Sequence, residues 1–140
     1  MSEGAGIGYE TVLPAGWSRP RGFAQAVKAT GSTVLRVSGQ LGRAPGAAGV
    51  EAGSSLGTQW RVALENLIAV VRAGGGDIGN IVLLRAYVTD MAEFNAGGAE
   101  VGAAWAATLG RHFPAMTLVG VTGLVDPNAR VEIEAEAVLA

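Results

Sequence analysis

The 140-residue chain contains no cysteine. Disulfides, iron–sulfur clusters, thiolate zinc sites and cysteine nucleophiles are therefore excluded. A single histidine, His112, excludes a metal site built from several imidazoles. Charge is scarce, with 16% of residues Asp, Glu, Lys or Arg against 49% apolar. The ten basic residues are scattered without stripe or cluster and the net charge is −2. Nucleic-acid binding by phosphate neutralisation is disfavoured on that ground. No apolar run reaches the roughly 18 residues of a transmembrane helix. Met1-Ser2-Glu3-Gly4 lacks the basic-then-apolar order of a secretory signal. The expectation is a cytoplasmic protein that binds neither membrane nor nucleic acid.

The length fits one domain, residues 1–140, with enough chain to bury a core of moderate size. The low charge fraction suggests that part of the surface is covered by other copies of the chain. Glycine is abundant, at 22 residues, and spread along the sequence rather than gathered in a linker.

Residues 1–20 read as an irregular lead-in, punctuated by Pro14, Gly16 and Pro20. Thr30-Gly31 suggests a hairpin, so residues 22–39 are expected to form two antiparallel strands. Residues 42–54, rich in glycine and alanine, read as a loop. Leu56 to Ala73 has the clearest helical period, with Trp60, Ala63, Leu64, Leu67, Ile68 and Val71 recurring at three- and four-residue steps. Ser54 or Ser55 caps its start and Gly74-Gly75-Gly76 ends it. Ile81 to Thr89 is a strand that turns Val82, Leu84, Ala86 and Val88 one way and Arg85 and Tyr87 the other. A second helix is expected from about Asn95 to Leu109, weakened by Gly97, Gly98 and Gly102. After Pro114, two strands flank a turn at Asp126–Ala129. The second, Val131 to Val138, alternates strictly with period two.

The order ββαβαββ implies an α+β fold: a mixed sheet of four or five strands with two helices packed on one face. The other face would carry Arg85, Tyr87, Glu132, Glu134 and Glu136. Regular polar positions on the longest strands suggest that this face meets other copies of the chain.

Glu132 and Glu134 share a face, roughly 6.6 Å apart along the strand. Paired carboxylates can take acid and base roles when their pKa values are driven apart. The same pattern also suits an ion-pair ladder with Arg85 and Arg130. Arg19 and Arg21 flank Pro20 and have the chemistry of a carboxylate clamp or of a solvated turn. Gly74-Gly75-Gly76-Asp77 follows a helix rather than opening one, so it is a helix stop and not a phosphate loop. His112 suits either proton transfer or a structural place. No serine triad is evident.

Certain stretches, taken in this order, resemble the YjgF/RidA family. They are Val37-Ser38-Gly39-Gln40, Gln59 with Ala63 to Leu67, Ile81-Val82 through Tyr87 to Met91, Phe113-Pro114-Ala115, and Val131 to Ala135. The match spans about residues 20–138. The resemblance implies a chorismate-mutase-like fold, without mutase activity, in a homotrimer whose sheets form a central core. Small molecules would bind in clefts between subunits, with no cofactor or metal. It further implies enamine/imine deaminase chemistry, releasing ammonia, with Glu132 as the water-activating glutamate. Substrate-binding positions fall on Phe23, Ser38 and Met116. In the family a tyrosine stands at the first of these and a carboxylate-binding arginine at the last. The second-helix asparagine is replaced near Gly98 or Ala99. A thioether cannot hold a carboxylate as an arginine does. Met116 thus argues for a larger, less charged substrate, for Arg19 or Arg21 standing in, or for lost catalysis; the resemblance also admits a ring-cleavage substrate of aminomuconate type. A trimer that binds small molecules without turnover, and a structural or interaction trimer, are the alternatives.

Overall fold

The computed structural model describes residues 6–140; Met1 to Ala5, which carry the leader-sequence reading, lie outside the described residues. Six strands and three α-helices run in the order β1 Gly8–Val12, β2 Ala26–Thr30, β3 Thr33–Leu41, α1 Leu56–Ala73, β4 Ile81–Val88, α2 Met91–Ala96, α3 Gly98–Thr108, β5 Ala115–Gly120 and β6 Val131–Leu139. A four-stranded sheet has the order β3-β6-β4-β5, and β1 and β2 form a separate two-stranded ribbon. Only β4 and β5 among the main-sheet pairs run parallel, joined by the α2–α3 crossover.

Helix α1 follows from its sequence. The Ser55 hydroxyl accepts from the Thr58 amide at 3.1 Å, and residues 56, 60, 63, 64, 67, 68 and 71 are buried. Gly74 and Gly75 end it, the latter at φ +97°. The core lies between this helix layer and one face of the sheet. Trp60, Leu64, Leu67, Leu84, Ile133 and Val131 are each at most 1% exposed. In β6, Val131, Ile133, Ala135 and Ala137 are buried while the glutamates between them are half-exposed, as period-two alternation requires.

Four expectations are corrected. The lead-in 1–20 contains a strand, Gly8–Val12, which pairs with β2 from Gly8↔Thr30 to Val12↔Ala26. The expected hairpin does not form, because β2 pairs with β1 while β3 pairs with β6 at the end of the chain. Gly31 turns the corner beside the Leu139 carbonyl, where a Cβ would come within 2.3 Å of that oxygen. The second helix is two helices meeting at Gly97, the first capped by Asp90 accepting from the Glu93 amide at 3.0 Å. Val82 does not share the face of Leu84. A register shift between Ile81 and Leu83 leaves Ile81 fully buried and Val82 half-exposed.

Candidate functional site

Glu132 enters β6 beside Leu41 on one side and Tyr87 on the other, on the face away from the helices. Opposite it, β3 bulges between Val37 and Gln40. The bulge presents Gly39, and a Cβ built there would stand 2.3 Å from Glu132 Oε2. Glycine at this position is what admits the carboxylate. Glu132 has no hydrogen-bond or ion-pair partner among the described residues. It borders an open cavity of about 520 Å³ with Gly39, Gln40, Arg43, Asn66 and Val125. The Asn66 amide donates to the Leu41 and Arg43 carbonyls at 3.2 and 2.8 Å, fixing the loop that carries Arg43.

The neighbouring glutamates are already engaged. Glu134 accepts a hydrogen bond from the Tyr87 hydroxyl and lies 3.5 Å from Arg85 Nη1. That hydrogen bond, with the nearby carboxylate charge, raises the Tyr87 pKa above its usual range. Glu136 lies 3.4 Å from Arg85 and 3.9 Å from Arg36. Arg130 pairs with Glu93 instead. Glu134 and Glu136 thus belong to an ion-pair ladder, and Glu132 stands outside it.

The second feature is an apolar cavity of about 710 Å³ on the helix side. Phe23, Trp60, Trp105, Phe113 and Met116 line it, and Arg21 stands among its lining residues. Trp105 stacks on Phe113 with ring centroids 5.9 Å apart and 10° between planes. The Trp105 indole donates to the His112 carbonyl at 3.2 Å. Met116 faces this side because it lies beside Leu84, itself fully buried under the helices.

The sequence-derived residues therefore fall into two groups. Phe23, Met116 and Arg21 share the apolar cavity. Arg19 borders a small adjoining hollow of about 160 Å³ that also touches Phe23. Glu132 lies with Gly39 on the opposite face. Ser38 is exposed at the bulge, its carbonyl accepting from the Gln40 amide at 3.0 Å. The cation sharing Glu132's cavity is Arg43, which the sequence reading did not single out. Its signal was position alone: it lies three residues beyond Gln40, in the loop that leaves the bulge.

His112 is structural. It is 2% exposed, its Nε2 lies 2.7 Å from the Ile81 carbonyl, and its ring centroid is 5.3 Å from that of Tyr9. Burial lowers its pKa, opposed by the Ile81 hydrogen bond. Burial also pushes the Tyr9 phenol up to about 12. Gln59, fully buried, donates to the Asn128 carbonyl at 3.0 Å and accepts from the Arg130 amide at 2.8 Å. It ties the turn before β6 to the start of α1. No helix is long and apolar enough to cross a membrane, and no group of three or more acidic or histidine side chains suits a metal, among the described residues.

The family model described as endoribonuclease L-PSP matches residues 18–139. The structure is similar to YyfB from Yersinia pestis, a Rid-family protein of unknown function, at 29% identity and TM-score 0.81, covering 94% of this chain and 98% of that one. It is similar to Rv2704 of Mycobacterium tuberculosis, a YjgF/YER057c/UK114 family member, at 30% identity and TM-score 0.62, covering 85% and 88%. The YjgF gene product of E. coli matches at 28% identity and TM-score 0.65, over 92% and 98%. No curated protein matches the sequence at a significant level.

Proposed function

The chain belongs to the endoribonuclease L-PSP family, the YjgF/YER057c/UK114 group, and from that premise we propose that it hydrolyses a carbon–nitrogen double bond, or its enamine tautomer, in a cleft completed by a second copy of the chain. One observation carries this reading. Glu132 and Met116 lie on opposite faces of one sheet, on strands separated by β4, so one chain cannot bring them together. Each half supplies what the other lacks. The Glu132 side has a carboxylate without a partner among the described residues and an arginine, and the Met116 side has apolar walls. In a homotrimer the edge strand β5 of one copy, which carries Met116, meets the open sheet face of the next beside Glu132 and joins the halves.

In this mechanism water adds to the imine carbon while Glu132 takes one of its protons. The carbon–nitrogen π pair goes to nitrogen, which takes that proton from Glu132. In the resulting aminoalcohol Glu132 removes the hydroxyl proton and passes it to the amine, which leaves as ammonia as the carbonyl forms. An imine and one water thus give a carbonyl compound and ammonia. Ser38 and the Gln40 amide, beside the bulge, orient the substrate.

RNA cleavage is the weaker reading. Six of the ten basic residues, Lys28, Arg36, Arg61, Arg72, Arg85 and Arg130, are already in ion pairs. Binding without turnover is the second reading, favoured by Met116 at the position of the family's arginine. Ammonia release from enzymatically generated imines separates the two. Hydrolysis predicts release above the spontaneous rate by the parent and its loss in E132Q. A parent that never exceeds the spontaneous rate overturns the hydrolase.

A further inference from the structure

The large cavity exists because helix α3 has almost no side chains along one stripe. Gly98, Gly102 and Ala106 recur at four-residue steps and all border it. A Cβ added at Gly98 or Gly102 would meet nothing within 4 Å. These glycines therefore do not serve close packing against a neighbouring element. Glycine inside a helix is unfavourable relative to alanine, so the stripe runs against local helix preference. The rest of the lining is rich in aromatics, Trp60, Trp105, Phe94 and Phe113. The Trp60 indole N–H is buried with no acceptor among the described residues, a state that calls for an explanation. The volume, about 710 Å³, lies within the range of small-molecule sites, roughly 300–1,000 Å³.

We propose that this cavity binds the ring-bearing apolar body of the substrate, selecting aryl-substituted imines over those with a methyl-sized substituent. The substrate class rests on the hydrolase reading, whereas the occupancy of the cavity does not. With Met116 on the wall, the body is held by apolar contact and ring stacking rather than by charge.

The test uses the full-length protein and two stable oxo acids that differ by a ring, phenylpyruvate and pyruvate, titrated by calorimetry. Phenylpyruvate should bind at least about tenfold more tightly, the scale set by burying one phenyl ring. Gly102→Leu, which grows a side chain into the empty space, should bring the ratio of the two affinities down to about one. Gly102→Ala should retain the preference. Should the leucine variant lose its native circular dichroism, Gly98→Leu makes the same test from the neighbouring turn. Equal affinities in the parent, or a preference untouched by leucine in a folded variant, overturn the assignment. Ammonia release from the imines of phenylalanine and alanine, made by an amino-acid oxidase, reads the other arm. Ring-selective binding with no release from either imine refutes hydrolysis and leaves the cavity assignment standing.

Discussion

Gly39 and Glu132 form a pair in which one side chain exists in the space the other forgoes. Gly39→Ala places a methyl 2.3 Å from the carboxylate oxygen in the present geometry, so the carboxylate or the bulge must move. The carboxylate ends a flexible side chain beside an open cavity and can swing into it, so the cost should fall below the roughly 1–3 kcal/mol of core overpacking. The same change in an E132A background should cost little, and a double-mutant cycle by thermal unfolding measures the difference. Glu132→Gln keeps the shape and removes the base. It should lower turnover by about 10²- to 10⁴-fold with assembly intact, read by ammonia release and sedimentation. Just below neutral pH, His112 links protonation to stability. Burial holds its pKa below the ordinary 6.5. Below that value the unfolded chain takes up a proton that the folded chain refuses. Its contribution is whole above pH 6.5 and is lost as pH falls toward the folded value. Urea midpoints measured between about pH 7 and about pH 5 should fall more for the parent than for H112Q.

At the scale of elements, the sequence was legible where one period ran long enough. Helix α1 and strand β6 appear within a residue of their expected bounds, because each repeats its pattern over many residues against one core. Strand β1 escaped notice because its five residues hold one half-buried aromatic, Tyr9, in an otherwise exposed run. The misread hairpin has a different cause. Thr33 pairs with Leu139, a partner more than a hundred positions away that no local pattern announces. The candidate site divides in the same way. Parity put Glu132 on the open face correctly. The face of Met116 depends on which β4 residue it meets, and the sequence does not contain that register. Helix ends give measurable consequences. Ser55→Ala should cost about 1 kcal/mol through loss of the 3.1 Å cap to Thr58. Gly102→Ala should instead stabilise α3 by about 0.5–1 kcal/mol, since its Cβ meets no atom within 4 Å. Urea denaturation of each variant checks both signs.

At the scale of the whole molecule, the unfinished face of the sheet governs association. Arg36, Arg85, Tyr87, Glu134 and Glu136 form a half-exposed polar ladder on it, with Arg36 at the exposed edge. Mass photometry at nanomolar and sedimentation at micromolar concentration should give a trimer, and a monomer in both would remove the composite cleft. The two-stranded ribbon has a consequence of another kind. Its sheet is separate from the main one, and the chain leaving it touches β5 at the Ala24–Ala115 bridge, where the Ala24 amide reaches the Pro114 carbonyl at 3.1 Å. Between ribbon and bridge hang Arg21 and Phe23, two members of the cavity wall. Such an appendage opens at lower free energy than the central strands. Amide protons of β1 and β2 should therefore trade with deuterated solvent well before those of β4 and β6. Filling the cavity should slow that trade in the ribbon, so the ligand's arrival is recorded in strands that it never touches.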